Sequence, residues 1–106
     1  MSLVGTYVNK NLGSELKITE VDNRLGQGQG YFSLGGQSVK VTVHYHFKNS
    51  TGPETTIWFS GNQDNPNKYV GGTAFATSQS FPELMVAGGY TDLDGTEGYS
   101  GKYIRS

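Results

Sequence analysis

"SVKVTVHYHFK", residues 38–48, decides the fold. Every second residue from Val39 to Phe47 is apolar or aromatic, and Lys40, Thr42, His44 and His46 lie between them. Successive side chains of a strand point to opposite faces, so this stretch is a strand with one dry face and one wet face. Val39, Val41, Val43, Tyr45 and Phe47 belong to a core. Ser38, Lys40, Thr42, His44, His46 and Lys48 belong to water.

The same alternation recurs on either side, and no window carries the i, i+3, i+4 apolar spacing of a helix. Strands are expected at residues 4–9, 15–21, 28–34, 38–48, 55–61, 68–77, 84–91 and 97–104. The breakers between them are "NLGS", "DNRLGQG", "LGGQ", "KNSTGPE", "NQDNPN", "TSQSFPE" and "DLDGTEG", rich in Gly, Asn, Asp and Pro. Eight short strands with tight connections point to an all-β, up-and-down antiparallel barrel of about eight strands, a sandwich being the alternative. The 106 residues form one domain, 1–106.

Parity then assigns faces. Leu16 and Ile18 face inward and carry Ser14 on their side. Gly5, Tyr7 and Asn9 share a face, as do Tyr31 and Ser33. "TIWFS", residues 56–60, is apolar on both sides. Either Trp58 is inside and Ile57 and Phe59 lie in an interface, or the reverse. A strand with large apolar groups on both faces favours a homo-oligomer in either case.

Composition narrows the function. The formal net charge is −1 and no basic cluster occurs, so a nucleic acid would find little to hold. No apolar run approaches the length of a membrane-spanning helix. The chain has no cysteine, which removes a disulfide frame, a thiolate nucleophile and Cys-ligated metal, and is compatible with secretion or cytoplasm. His44 and His46 form an H-x-H pair, but zinc needs a third ligand and none stands nearby, so solvated sheet surface is the plainer reading. "DLDGTEG", residues 92–98, lacks the ligand ladder of a calcium loop and reads as a turn. "GQGQG", residues 26–30, is not a phosphate loop, because no helix follows it. No nucleophile, base and orienter can be grouped, which argues against an enzyme. No cofactor is called for.

"GTYVNKNLGSELKI", followed by "GQGYFS" and then "VTVHYHFKNSTGPETTIWFSG", resembles the avidin and streptavidin family of biotin-binding barrels. The resemblance covers residues 5–78 and implies a ligand pocket at one end of the barrel. Matched residue by residue, Ser14 and Tyr31 stand for hydroxyls that donate to the ureido oxygen of biotin, with Asn9 as the accompanying amide. Asn11 competes for that last role, since "NKNLGS" is one residue longer than the family's pattern. Ser33 stands for the acceptor of a ureido N–H, and Thr56 for a threonine near the ligand's sulfur. Tyr45, Trp58 and Phe75 stand for the aromatic walls. The short stretch between Tyr31 and Tyr45 and the absence of any tryptophan after Trp58 imply weaker binding than is usual for the family.

That chemistry is reasonable in itself. A urea offers one strong acceptor and two donors, and each group left unpaired in a dry pocket costs roughly 1–3 kcal/mol. The resemblance therefore leads to a non-enzymatic small-ligand binder for biotin or a related urea. The alternative is a carbohydrate-binding lectin on a similar barrel. In that reading the loops at residues 62–68 and 91–98 meet sugar hydroxyls, and Asn65, Tyr90, Asp92 and Asp94 cluster at one rim.

Overall fold

Eight strands follow one another around a closed barrel in chain order, each antiparallel to the next. In this computed structural model, residues 3–47, 55–64, 67–76, 78, 80–92 and 95–106 are described. The strands are β1 (Gly5–Asn9), β2 (Ser14–Asp22), β3 (Gln27–Leu34), β4 (Gln37–Phe47), β5 (Thr55–Asp64), β6 (Asn67–Ala76), β7 (Glu83–Asp92) and β8 (Gly95–Arg105). No helix occurs among the described residues. The expected all-β, up-and-down barrel is the fold, and the eight strands fall within a few residues of their expected places.

Register fixes which faces are inside. Leu16 lies opposite Phe32 and Ile18 opposite Gly30, so β3 buries Phe32 and turns Tyr31 outward against Lys17. Val43 lies opposite Phe59 and Tyr45 opposite Ile57, so β5 buries Ile57 and Phe59 and turns Trp58 outward. Directly opposed residues share a face, so these pairings leave no choice. The ambiguity in residues 56–60 is thus resolved with Trp58 outside. Val39, Val41, Val43, Tyr45, Leu16 and Ile18 are all buried.

One residue shifts the phase of β2. The β2–β3 ladder steps from Ile18↔Gly30 to Glu20↔Gln29, which leaves Thr19 as a bulge whose hydroxyl donates to the Gln29 carbonyl at 3.1 Å. A bulge adds a residue to one strand and bends it. It explains why Val21, three residues beyond Ile18, also packs against the core.

Aromatic rings fill the middle of the barrel. Phe32 stacks on Tyr99 with centroids 4.7 Å apart and on Phe59 at 5.7 Å. The Tyr99 phenol reaches β6 and donates to the Gly71 carbonyl at 3.1 Å. Gly72 and Gly88 make room for that ring. A Cβ on Gly72 would sit 2.6 Å from the Tyr99 hydroxyl, and one on Gly88 would sit 2.5 Å from it and 2.2 Å from the Gly71 carbonyl.

The barrel closes through its shortest strand. β1 pairs with β8 only at Tyr7↔Arg105 and Val8↔Ile104, supplemented by Ser106 N–H donating to the Thr6 carbonyl at 2.9 Å. Arg105 reinforces the seam: its guanidinium donates to the Val4 carbonyl at 2.6 Å and the Ser80 carbonyl at 3.3 Å, and lies 5.7 Å from the Tyr7 ring centroid. The ladder with β8 goes no further than Val8↔Ile104, and beyond it side chains bridge β8 to its neighbours, Tyr103 to Ser14 and Asn9 over Gly101.

Candidate functional site

The eight residues matched to a biotin pocket do not converge. Ser14, Asn9 and Tyr45 face inward, whereas Tyr31, Ser33, Thr56, Trp58 and Phe75 lie on the outer face. Ser14 is engaged on both sides: its hydroxyl donates to the Ser33 carbonyl at 2.8 Å and accepts from the Tyr103 phenol at 2.7 Å. Asn9 is its registered partner, and the Asn9 amide oxygen accepts from Leu12 N–H at 3.1 Å. The Asn9 amide nitrogen lies over Gly101, where a Cβ would come within 2.4 Å of it. Asn11 is exposed in the turn.

Tyr45 sits at the other end of the barrel. Its phenol donates to Asn23 Oδ1, just past the end of β2, while Ser14 opens that strand. Burial pushes the Tyr45 phenol pKa upward, and the nearby Asp22 carboxylate adds to the rise. Burial raises Tyr103 likewise, offset in part by its bond to Ser14. These inward polar groups tie strands together, and the stack of Tyr99, Phe32 and Phe59 occupies the space between them.

On the outside the geometry is more open. The β4–β5 ladder ends at Thr42↔Ser60, although β4 runs on with β3 to Gln37 and β5 runs on with β6 to Asp64. The Lys40 carbonyl crosses so close to Gly61 that a Cβ there would lie 2.0 Å from it. Only glycine lets the two hairpins meet at this point. Above the break, a groove of about 680 Å³ runs across the outer face. Val41 and Val70 contribute to its base, and Gln29, Lys40, Thr42, Ser60, Asn62 and Tyr69 supply its polar lining. Tyr31 lies opposite Lys40 on one flank, and Tyr69 lies opposite Asn62 on the other. Both rings are well exposed, at 43% and 49%.

This lining is a recognisable chemistry. Two amides and two hydroxyls can each donate and accept, one ammonium donates, and two aromatic faces flank the row. Sugars present the complementary surface, with hydroxyls around the ring edge and C–H groups on its face. Sequence reasoning placed Lys40 and Thr42 on the wet face of β4 but gave them no role, because the end of a ladder leaves no mark in periodicity. It came nearer with the segment from residue 62 to 68, which Asn62 opens and Tyr69 directly follows.

Other concavities are less suited. A cup of about 340 Å³ lies between the β3–β4 turn and β8, lined by Leu34, Gln37, Tyr90, Thr96 and Glu97. Gln37 there also accepts from the Lys68 ammonium. A third hollow on the β1–β8 seam holds Asn9, Lys10, Lys102 and Ile104. His44 stacks against Trp58, ring centroids 6.0 Å apart, and no group of three metal-ligating side chains occurs among the described residues. Of the rim residues expected for a lectin, Tyr90 is buried inside the barrel, Asn65 and Asp94 lie outside the described residues, and so does the Asp92 side chain.

The fold and site define the class: a closed eight-stranded β-barrel with a filled interior and a polar, tyrosine-flanked groove on its outer wall. Compared with known proteins, the chain matches no family model, no curated protein and no solved structure.

Proposed function

We propose that this barrel is a glycan-binding module, not an enzyme, and that the outer groove across β3–β6 holds a short stretch of oligosaccharide. One observation carries the reading: Tyr31 and Tyr69 offer exposed rings on the two flanks of a row of amide and hydroxyl side chains. Binding sites of this type combine apolar or aromatic contact with a few placed polar groups. Stacking on the rings supplies contact area, and the amides fix orientation. Direct and water-mediated hydrogen bonds both serve in so open a groove.

The biotin reading rests on the order of the motifs along the chain. Its strongest residue, Ser14, already spends both donor and acceptor on Ser33 and Tyr103. To donate to a urea oxygen it would have to give up the Ser33 carbonyl. Titration calorimetry of the full chain against an array-selected oligosaccharide and against biotin separates the two. The expected result is heat with the sugar, abolished by Tyr69→Ala in a protein with unchanged melting temperature. Heat with biotin alone would overturn the glycan reading.

Self-association is the second part of the proposal. Trp58, Phe75, Met85 and Ile104 lie on the outer face of four consecutive strands, each 41–49% exposed. Phe75 lies directly opposite Met85, and Trp58 and Ile104 lie diagonally beyond them. Such a continuous apolar stripe marks an association surface. A second copy of the barrel would cover it while leaving the groove open. Light scattering should give a multiple of the 11.5 kDa chain mass, falling to one chain for Met85→Glu.

A further inference from the structure

We infer that the sugar taken by the groove is an acidic one, bearing a carboxylate or a sulfate ester that seats against Lys40; this rests on the glycan reading. Lys40 is the one charged side chain among the described residues that line the groove. Its ammonium makes no hydrogen bond or ion pair to any described residue. Among the described residues, the groove thus carries a positive charge with no ion-pair partner inside a row of neutral donors and acceptors.

Register adds a second cation. Lys17 on β2 and Lys40 on β4 lie directly opposite Tyr31 on its two sides, so two ammonium stems bracket one exposed ring. Directly opposed side chains are about 5 Å apart at Cβ, within reach of a ring substituent. A sugar stacked on Tyr31 projects its exocyclic acid from the ring edge, where either lysine can meet it. Among the described residues, the acids near that row are on β2, where Glu15 lies opposite Ser33 and Glu20 opposite Gln29. They flank Lys17 and leave Lys40 on β4 as the cation inside the groove. A neutral sugar would use the amides equally well but would offer Lys40 only a neutral hydroxyl.

The test compares three oligosaccharides of equal length on the full chain by calorimetry: a uronic acid oligomer, a sulfated oligomer and a neutral hexose oligomer. At low salt an acidic oligomer should bind about fivefold more tightly than the neutral one, the range of one or two exposed charge pairs. That margin should shrink when salt is raised to roughly 200 mM. Lys40→Gln should reduce the preference, adding Lys17→Gln should remove it, and Lys102→Gln, on β8, should leave it intact. Whether the carboxylate or the sulfate binds better identifies the source of the charge, and a preference for either supports the inference. Equal binding of all three sugars would overturn it while leaving the groove as a glycan site. Binding of none by a folded protein would overturn the glycan reading itself.

Discussion

Tyr103 donates its phenol proton to Ser14 Oγ across 2.7 Å, and Ser14 passes its own proton to the Ser33 carbonyl at 2.8 Å. One buried serine therefore ties β8 to β2 and β3 just past the last registered pair of β1 with β8. Ser14→Ala leaves the phenol without its acceptor and should cost about 1–3 kcal/mol in urea unfolding. Tyr103→Phe should cost less, since Ser14 keeps its bond to Ser33. The double variant should cost less than the sum of the two, because they share one interaction.

Gly88→Ala should destabilise the barrel by about 1–3 kcal/mol, the ordinary cost of overfilling a packed interior. The added methyl would meet both the Tyr99 hydroxyl and the Gly71 carbonyl. Tyr99→Phe removes only the first of these obstacles. Combining the two substitutions should therefore fail to restore the denaturation midpoint.

Alkali should open the barrel. Burial raises the phenol pKa of Tyr7, Tyr45, Tyr99 and Tyr103 above the ordinary value of 10.0, most strongly at Tyr99. A phenol is neutral when protonated, so the unfolded chain releases these protons first as pH rises. Stability from these groups is complete below about pH 10 and falls above it. The urea midpoint, measured at successive pH values, should hold level and then drop past that point. A level midpoint through pH 11 would contradict the burial of these phenols.

Tyr31 separates the two ligand readings with a single atom. Stacking uses the ring, so Tyr31→Phe should keep sugar binding and Tyr31→Ala should weaken it by about 0.5–1.5 kcal/mol. Donation to a urea uses the hydroxyl, so biotin binding would weaken in both, by about 1–3 kcal/mol for Tyr31→Phe. Calorimetry on the two variants decides between them.

Much of the barrel was legible in the sequence because alternation and turn residues report directly on strands. Val39 to Tyr45 could be placed inside from parity alone. The site was harder to read. Tyr31 and Phe32 are both aromatic, so parity could assign either one to the core. Only the pairing of Phe32 with Leu16 decides, and that pairing is not local. Trp58 was open for the same reason, until Tyr45↔Ile57 fixed β5. The groove depends on where the β4–β5 ladder stops, which composition near Gly61 hints at but does not fix.

The seam between β1 and β8 also orders events in time. Every other pairing joins neighbours in the chain, so each can form as a hairpin on the microsecond scale. Closing the ring must instead bring Tyr7 to Arg105, nearly the whole chain apart, and it gains only two registered pairs. Loop entropy has to be met before those pairs return anything. During synthesis the first strand emerges with a core-facing tyrosine and must wait for the last strand to leave the ribosome. Until then the nascent sheet is an open ribbon with two bare edges.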